Sequence, residues 1–170
     1  VASYNFYRRQ FNTVLKDLVS MDETIVPSAS ENDTNWFHQM MSRGTYANVA
    51  FRKKINYQLG YEFNHEFAIG ERIAGGRQNM GDYNIFASAE WKPGIRWMIR
   101  PAFRIIYHTV YNAPFIPSLH VKYDITENTL FRASYARGFR APTLKELYLK
   151  FTDAGHNIMG NPDLEAELSH

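Results

Sequence analysis

The chain has 170 residues and a formal charge of +2, from 19 Lys plus Arg against 17 Asp plus Glu. That is one domain's worth of polypeptide or a piece of a larger one, and the balance gives no reason to expect a nucleic-acid partner. Cysteine is absent, which excludes disulfides, thiolate metal sites and cysteine nucleophiles.

No uninterrupted run of apolar residues exceeds three, far short of the roughly 20 a transmembrane helix needs. The 11 Tyr and 12 Phe instead favour strands, in either a soluble all-β fold or a membrane barrel. The N-terminal VASYNFYRRQ lacks the basic, apolar and small-residue order of a signal peptide, so no targeting signal is expected and the chain reads as starting inside a larger protein.

Residues 3–18 and 36–51 are strand-like with weak alternation. Period two then becomes clear. Ile55, Tyr57, Leu59, Tyr61 and Phe63 alternate with Asn56, Gln58, Gly60, Glu62 and Asn64. Tyr83, Ile85, Ala87, Ala89 and Trp91 oppose Asp82, Asn84, Phe86, Ser88 and Glu90. From residue 95 to 108 the odd positions are mainly apolar and the even ones carry Arg96, Arg100, Arg104 and His108. Residues 115–125 and 131–136 repeat the rule. Successive strand side chains point to opposite faces, so these are two-faced strands, several longer than the usual five or six residues. About seven are predicted. Short polar turns are expected at 52–54, 92–94 and 126–128, and longer irregular loops at 66–80, 109–114 and 139–170.

Short turns on one rim and long loops on the other, with aromatic residues such as Trp91, Trp97, Tyr123 and Tyr107 near strand ends, are the pattern of an outer-membrane barrel. Alternation alone fits a soluble lipocalin-like barrel equally well; strand length, loop asymmetry and the aromatic ends favour the membrane form.

The stretch 131–167, FRASYARGFRAPTLKELYLKFTDAGHNIMGNPDLEAE, resembles the barrel of TonB-dependent outer-membrane receptors. The matching residues are Gly138, Phe139, Arg140, Ala141 and Pro142, then Leu144, Glu146 and Leu147 of the LKELY segment, Gly160, Asn161 and Pro162 with Leu164, and Glu167. Ala166 departs from the proline many members carry. These residues also make local physical sense. Ala141 before Pro142 is biased to extended backbone, Thr143 and Glu146 have capping-box spacing for a short helix near 144–150, and Gly160 to Pro162 supply a turn.

The resemblance implies an all-β fold, an antiparallel transmembrane β-barrel fragment contributing about seven strands of a roughly 22-stranded barrel. Residues 1–170 would be partial barrel, with the plug domain absent. It implies a receptor that binds a scarce nutrient, ferric siderophore or cobalamin first with haem and oligosaccharide behind, and imports it with energy from the TonB complex through the plug. The expected location is the bacterial outer membrane, in contact with its lipid, and the fragment in water should aggregate or oligomerise. A soluble lipocalin-like carrier of a small apolar ligand and a passive porin remain alternatives.

No HExxH, GxSxG, P-loop or GxGxxG is present, so no enzyme, cofactor or metal site is expected. Candidate ligand contacts are Arg137, Arg140, His156, Asn157, His108 and Tyr111, although the motif residues read mainly as architectural. The arginines 96, 100, 104 and 132 could favour anionic ligands or pair with Asp82, Glu90, Glu62 and Asp124 on neighbouring strands. Asn32, Asp33 and Thr34 fit a glycosylation pattern that would have no meaning in a bacterial outer-membrane protein.

Overall fold

A computed structural model describes residues 1–26, 32–48, 54–152, 155 and 157–170. Its long strands are β1 (Ala2–Phe11), β4 (Asp33–Asn48), β5 (Ile55–Gly70), β6 (Arg77–Trp91), β7 (Trp97–His108), β8 (Ile116–Asp124) and β9 (Leu130–Ala136). They form one antiparallel sheet in the order β1-β4-β5-β6-β7-β8-β9. A small hairpin of β2 (Val14–Lys16) and β3 (Glu23–Ile25) lies between β1 and β4 in sequence. After β9 come β10 (Gly138–Arg140), the helix α1 (Leu144–Tyr148), β11 (Lys150–Thr152), β12 (Asn157–Met159) and β13 (Glu167–Ser169).

Cross-strand register sorts the side chains into two faces. Leu59 opposes Ala87, which opposes Phe103, which opposes Pro117, all on one apolar face. Glu62 opposes Asn84, Asn64 opposes Asp82, and Asp82 opposes His108, all on the other. A one-residue slip would exchange the faces, so the hydrophobic pattern fixes the register. Gly44 shows how closely the apolar face is fitted: a Cβ there would meet the Tyr61 ring at 2.4 Å, so the missing side chain seats the ring opposite it. On β7 the apolar face runs from Trp97 to Tyr107; at about 3.3 Å per residue and barrel-like tilt this spans roughly 25 Å. Trp97 packs on Tyr123 at 4.5 Å at one end, and Tyr83 stacks on Tyr107 at 6.1 Å at the other.

The large apolar side chains of this face are exposed, Leu59 by 49% and Ile85 by 52%. The buried apolar residues lie elsewhere. Ala68, Ile73, Leu144 and Leu147 are each at most 5% exposed; Ala68, Ile73 and Leu144 form one cluster, and Phe37, Met80, Tyr148 and Leu149 pack against it. It forms where residues 138–169, a strap, fold back over the polar face.

Several expected boundaries need correction. Residues 66–80 are not one loop: Glu66 to Gly70 complete β5 and Arg77 to Met80 begin β6, leaving 71–76 as the connection. The apolar cluster with the strap favours extending those strands, since it buries Ala68 and holds Met80. The strand expected at 3–18 stops at Phe11 and continues as a separate hairpin. The region 139–170 carries short β-pairs and the helix instead of loop alone, and the helix ends at Tyr148 because Leu149 is extended and bridges to Ile73. Residues 52 and 53 of one expected turn lie outside the described residues.

Candidate functional site

The strap is built from the motif residues. β10 pairs with β13, placing Arg140 opposite Glu167. Arg140 donates to Glu167 at 3.0 Å and to Glu146 at 2.6 Å, tying the first, second and last parts of the motif through one guanidinium. Thr143 caps α1: its hydroxyl accepts from the Glu146 amide at 3.3 Å, while the Glu146 carboxylate accepts from the Thr143 amide at 2.7 Å, a complete capping box. The Thr143 amide, then Arg140 and the Thr143 hydroxyl, hold the Glu146 carboxyl down to about 2. At the other end of the helix, the Gly160 and Asn161 amides donate to the carbonyls of Leu149 and Glu146 at 2.7 and 2.9 Å. These bonds satisfy groups that a helix end leaves open. A Cβ on Gly160 would sit 2.6 Å from the Leu147 carbonyl carbon, so this contact requires glycine.

The loop-bearing rim anchors the strap. The Ala74 amide donates to the Tyr148 carbonyl and the Lys150 amide to the Arg72 carbonyl, both at 2.8 Å. Buried Arg72 pairs with Asp33, and its guanidinium lies 4.5 Å from the Phe151 ring and 5.1 Å from the Phe11 ring. Asn35 donates to Asp33 and accepts from the Arg72 amide at 3.1 Å. The strap, the 71–76 connection and the facing ends of β1 and β4 thus meet at one charged network.

Two cavities open between strap and polar face. One, of about 350 Å³, is lined by Glu62, Asp82, Asn84, Arg104, His108 and Arg140 among others. Asn84 is 5% exposed there and its Oδ1 has no hydrogen-bond partner. The second, of about 420 Å³, carries Tyr7, Phe37, Gln39, Glu66 and Lys145, with the Lys145 ammonium 5.6 Å from the Phe37 ring centroid. Polar acceptors, rings and cations around open space can hold a polar, partly aromatic small molecule by hydrogen bonding and stacking. Among the described residues no group of three or more His, Asp or Glu is placed to hold a metal ion.

The candidate contacts fall at this end of the sheet, and most already have partners. His108 is buried, and its Nδ1 accepts from the Val110 and Tyr111 amides at 3.2 Å, holding the turn after β7. The Tyr111 hydroxyl donates to the Leu164 carbonyl at 2.8 Å, and its burial pushes the phenol up. Asn157 accepts from the Thr152 hydroxyl at 3.1 Å inside the β11–β12 hairpin. Arg137 reaches the Phe115 carbonyl at 3.5 Å, and His156 lies outside the described residues. Of the arginines expected to pair with carboxylates on neighbouring strands, Arg100 bonds Glu90 at 2.5 Å, whereas Asp124 pairs with Lys122 of its own strand at 2.8 Å and Arg104 lies 5.8 Å from the Phe86 ring. The sequence reading missed Asp33, Asn35 and Arg72. The signal was present in the Asn32-Asp33-Thr34-Asn35 cluster, read only as a glycosylation pattern; Asn32 instead accepts from the Thr13 amide and donates to the Val26 carbonyl, each at 2.6 Å.

A family model described as TonB dependent receptor-like, beta-barrel matches residues 2–170. The chain belongs to the TonB-dependent receptors. Solved structures agree on the fold. A double-mutant form of the ferric enterobactin receptor PfeA from Pseudomonas aeruginosa has a TM-score of 0.67 at 18% identity, over 98% of this chain and 28% of that one. The siderophore receptor PirA from the same organism has a TM-score of 0.63 at 18% identity, over 81% of this chain and 27% of that one. A PfeA mutant in complex with enterobactin has a TM-score of 0.62 at 16% identity, over 86% and 23%. The comparison with curated proteins found no match. The chain therefore spans about a quarter of those receptors, and its open seven-stranded sheet is a section of a TonB-dependent receptor barrel wall. Members of this family are receptors and transporters, not enzymes.

Proposed function

We propose that this chain is part of an outer-membrane receptor that binds a scarce nutrient at its loop-bearing rim and imports it with TonB-supplied energy, with a ferric siderophore as the first candidate and cobalamin as the second. The observation that carries the reading is the two-faced wall. An exposed apolar face about as tall as a bilayer's hydrocarbon region backs a polar face on which the family motif builds cavities. Family membership and likeness to siderophore receptors support the nutrient class. The polar face would then line the lumen, beneath a plug supplied by a part of the protein outside this chain, and the apolar face would meet lipid.

The test uses the full-length protein in its native membrane. Saturable retention of a radiolabelled ferric siderophore, with accumulation inside the cell abolished when TonB is deleted, is the expected result. Retention of labelled cyanocobalamin in its place would move the assignment to the second candidate. Uptake of small solutes unaffected by loss of TonB would overturn the reading in favour of a passive pore.

A further inference from the structure

The apolar face carries almost no charge. Among the described residues of its seven strands, the only Lys, Arg, Asp or Glu side chains are Arg8 and Arg77; every other charged strand residue belongs to the polar face by register. The two arginines share one row across the sheet. Arg8 opposes Trp36, Trp36 opposes Ile69, and Ile69 opposes Arg77. The row lies toward the loop-bearing rim, beyond the aromatic level of Tyr4, His65, Tyr83 and Tyr107, where Tyr4 bonds His38 and His65 bonds Tyr83. Both arginines are exposed. Arg8 is oriented by a hydrogen bond to the Gln10 side chain at 3.0 Å, and no carboxylate pairs with either arginine in the described ion pairs.

We propose that this row is a docking site for the anionic phosphomonoester headgroup of a membrane amphiphile in the leaflet at the loop-bearing rim. The inference rests on the reading that the apolar face meets lipid, and adds to it a specific headgroup site. Two cations flank an indole and an aliphatic side chain, about three interstrand spacings or roughly 14 Å apart. Guanidinium groups bind phosphate through paired N–H donors, Trp prefers the boundary between apolar and polar layers, and the apolar wall below the row accepts acyl chains. A lipid carrying phosphomonoesters matches all three features, whereas a zwitterionic headgroup such as phosphocholine already compensates its own phosphate and leaves both arginines without a counter-charge.

The test is native mass spectrometry of the full-length protein in detergent, titrated with diphosphoryl lipid A or with phosphatidylcholine. The expected result is retention of lipid A over phosphatidylcholine, reduced about tenfold in apparent affinity by Arg8→Gln with Arg77→Gln and unchanged by Arg132→Gln on the polar face. Equal retention of lipid A by the wild type and the double variant would overturn the site, as would an equal loss with Arg132→Gln. Reconstitution into phosphatidylcholine vesicles separates the two levels of the argument. A double variant that inserts normally but shows unchanged lipid A binding removes only the headgroup site, whereas a wild-type protein that does not insert removes the membrane reading beneath it.

Discussion

The sheet and the strap bury apolar surface in opposite ways. The strap closes a small core against the sheet, with Leu144 enclosed against Ile73 and Ala68 and Leu147 of the same helix also buried. Across the sheet's apolar face, by contrast, Leu59, Ile85, Phe103, Ile105 and Leu119 are each more than 40% exposed. One region satisfies the hydrophobic effect internally, and the other depends on an apolar medium outside the chain. The same period-two pattern in a soluble barrel would turn those residues toward a core. The strap occupies the polar face instead, which removes the lipocalin-like arrangement as an account of this fold.

The comparison can be broken from the strap side first. Leu147 is 1% exposed, so Leu147→Ala should loosen the strap by about 2–5 kcal/mol through lost transfer energy and the cavity left behind. Limited proteolysis of the full-length protein should then cleave within residues 138–169 while the sheet resists. Equal resistance of wild type and variant would mean the strap is not held by the burial of Leu147. On the sheet, Leu59→Arg places a cation on the middle row of the apolar face, opposite Ala87 and in line with Phe103. It should cost about 2–4 kcal/mol in membrane stability, and Ile99→Arg, one alternation from the Trp97 end, should cost less. Folding titrations in vesicles that gave the reverse order would misplace the bilayer on the sheet. The smallest effect concerns pH. Because the folded Glu146 carboxyl is held below its ordinary 4.5, at about 2, its contribution to strap docking is fully present above pH 4.5 and lost as pH falls through about 2. Amide protection factors at Glu146 and Leu147, with exchange corrected for its intrinsic rate at each pH, should fall over that window, and Glu146→Gln should abolish this change in protection.

Legibility in the sequence followed the length scale of the interaction. Strand faces at 55–63 and 83–91 could be read because period two is imposed by each strand's own geometry. The capping box at Thr143 and Glu146 was equally local. Strand ends at Gly70 and Arg77 were not legible, since glycine content suggested a loop whereas the backbone stays extended beside Leu144 and Met80. The roles of Arg140 and Tyr111 needed partners 27 and 53 residues away, and spacing alone does not announce such contacts. Arg72 and Asp33 meet across 39 residues. The motif identified the family, and only the folded chain showed that its pieces clamp one another.

The most direct measurement exploits the absence of cysteine from these 170 residues. Single cysteines placed at positions 100 to 105 of β7, in a full-length background without other cysteines, can carry spin labels in reconstituted vesicles. Collision rates with oxygen should peak at 101, 103 and 105, and those with a water-soluble nickel chelate at 100, 102 and 104. Chelate access equal at all six positions, or higher at the odd ones, would contradict the assignment of the apolar face to the membrane.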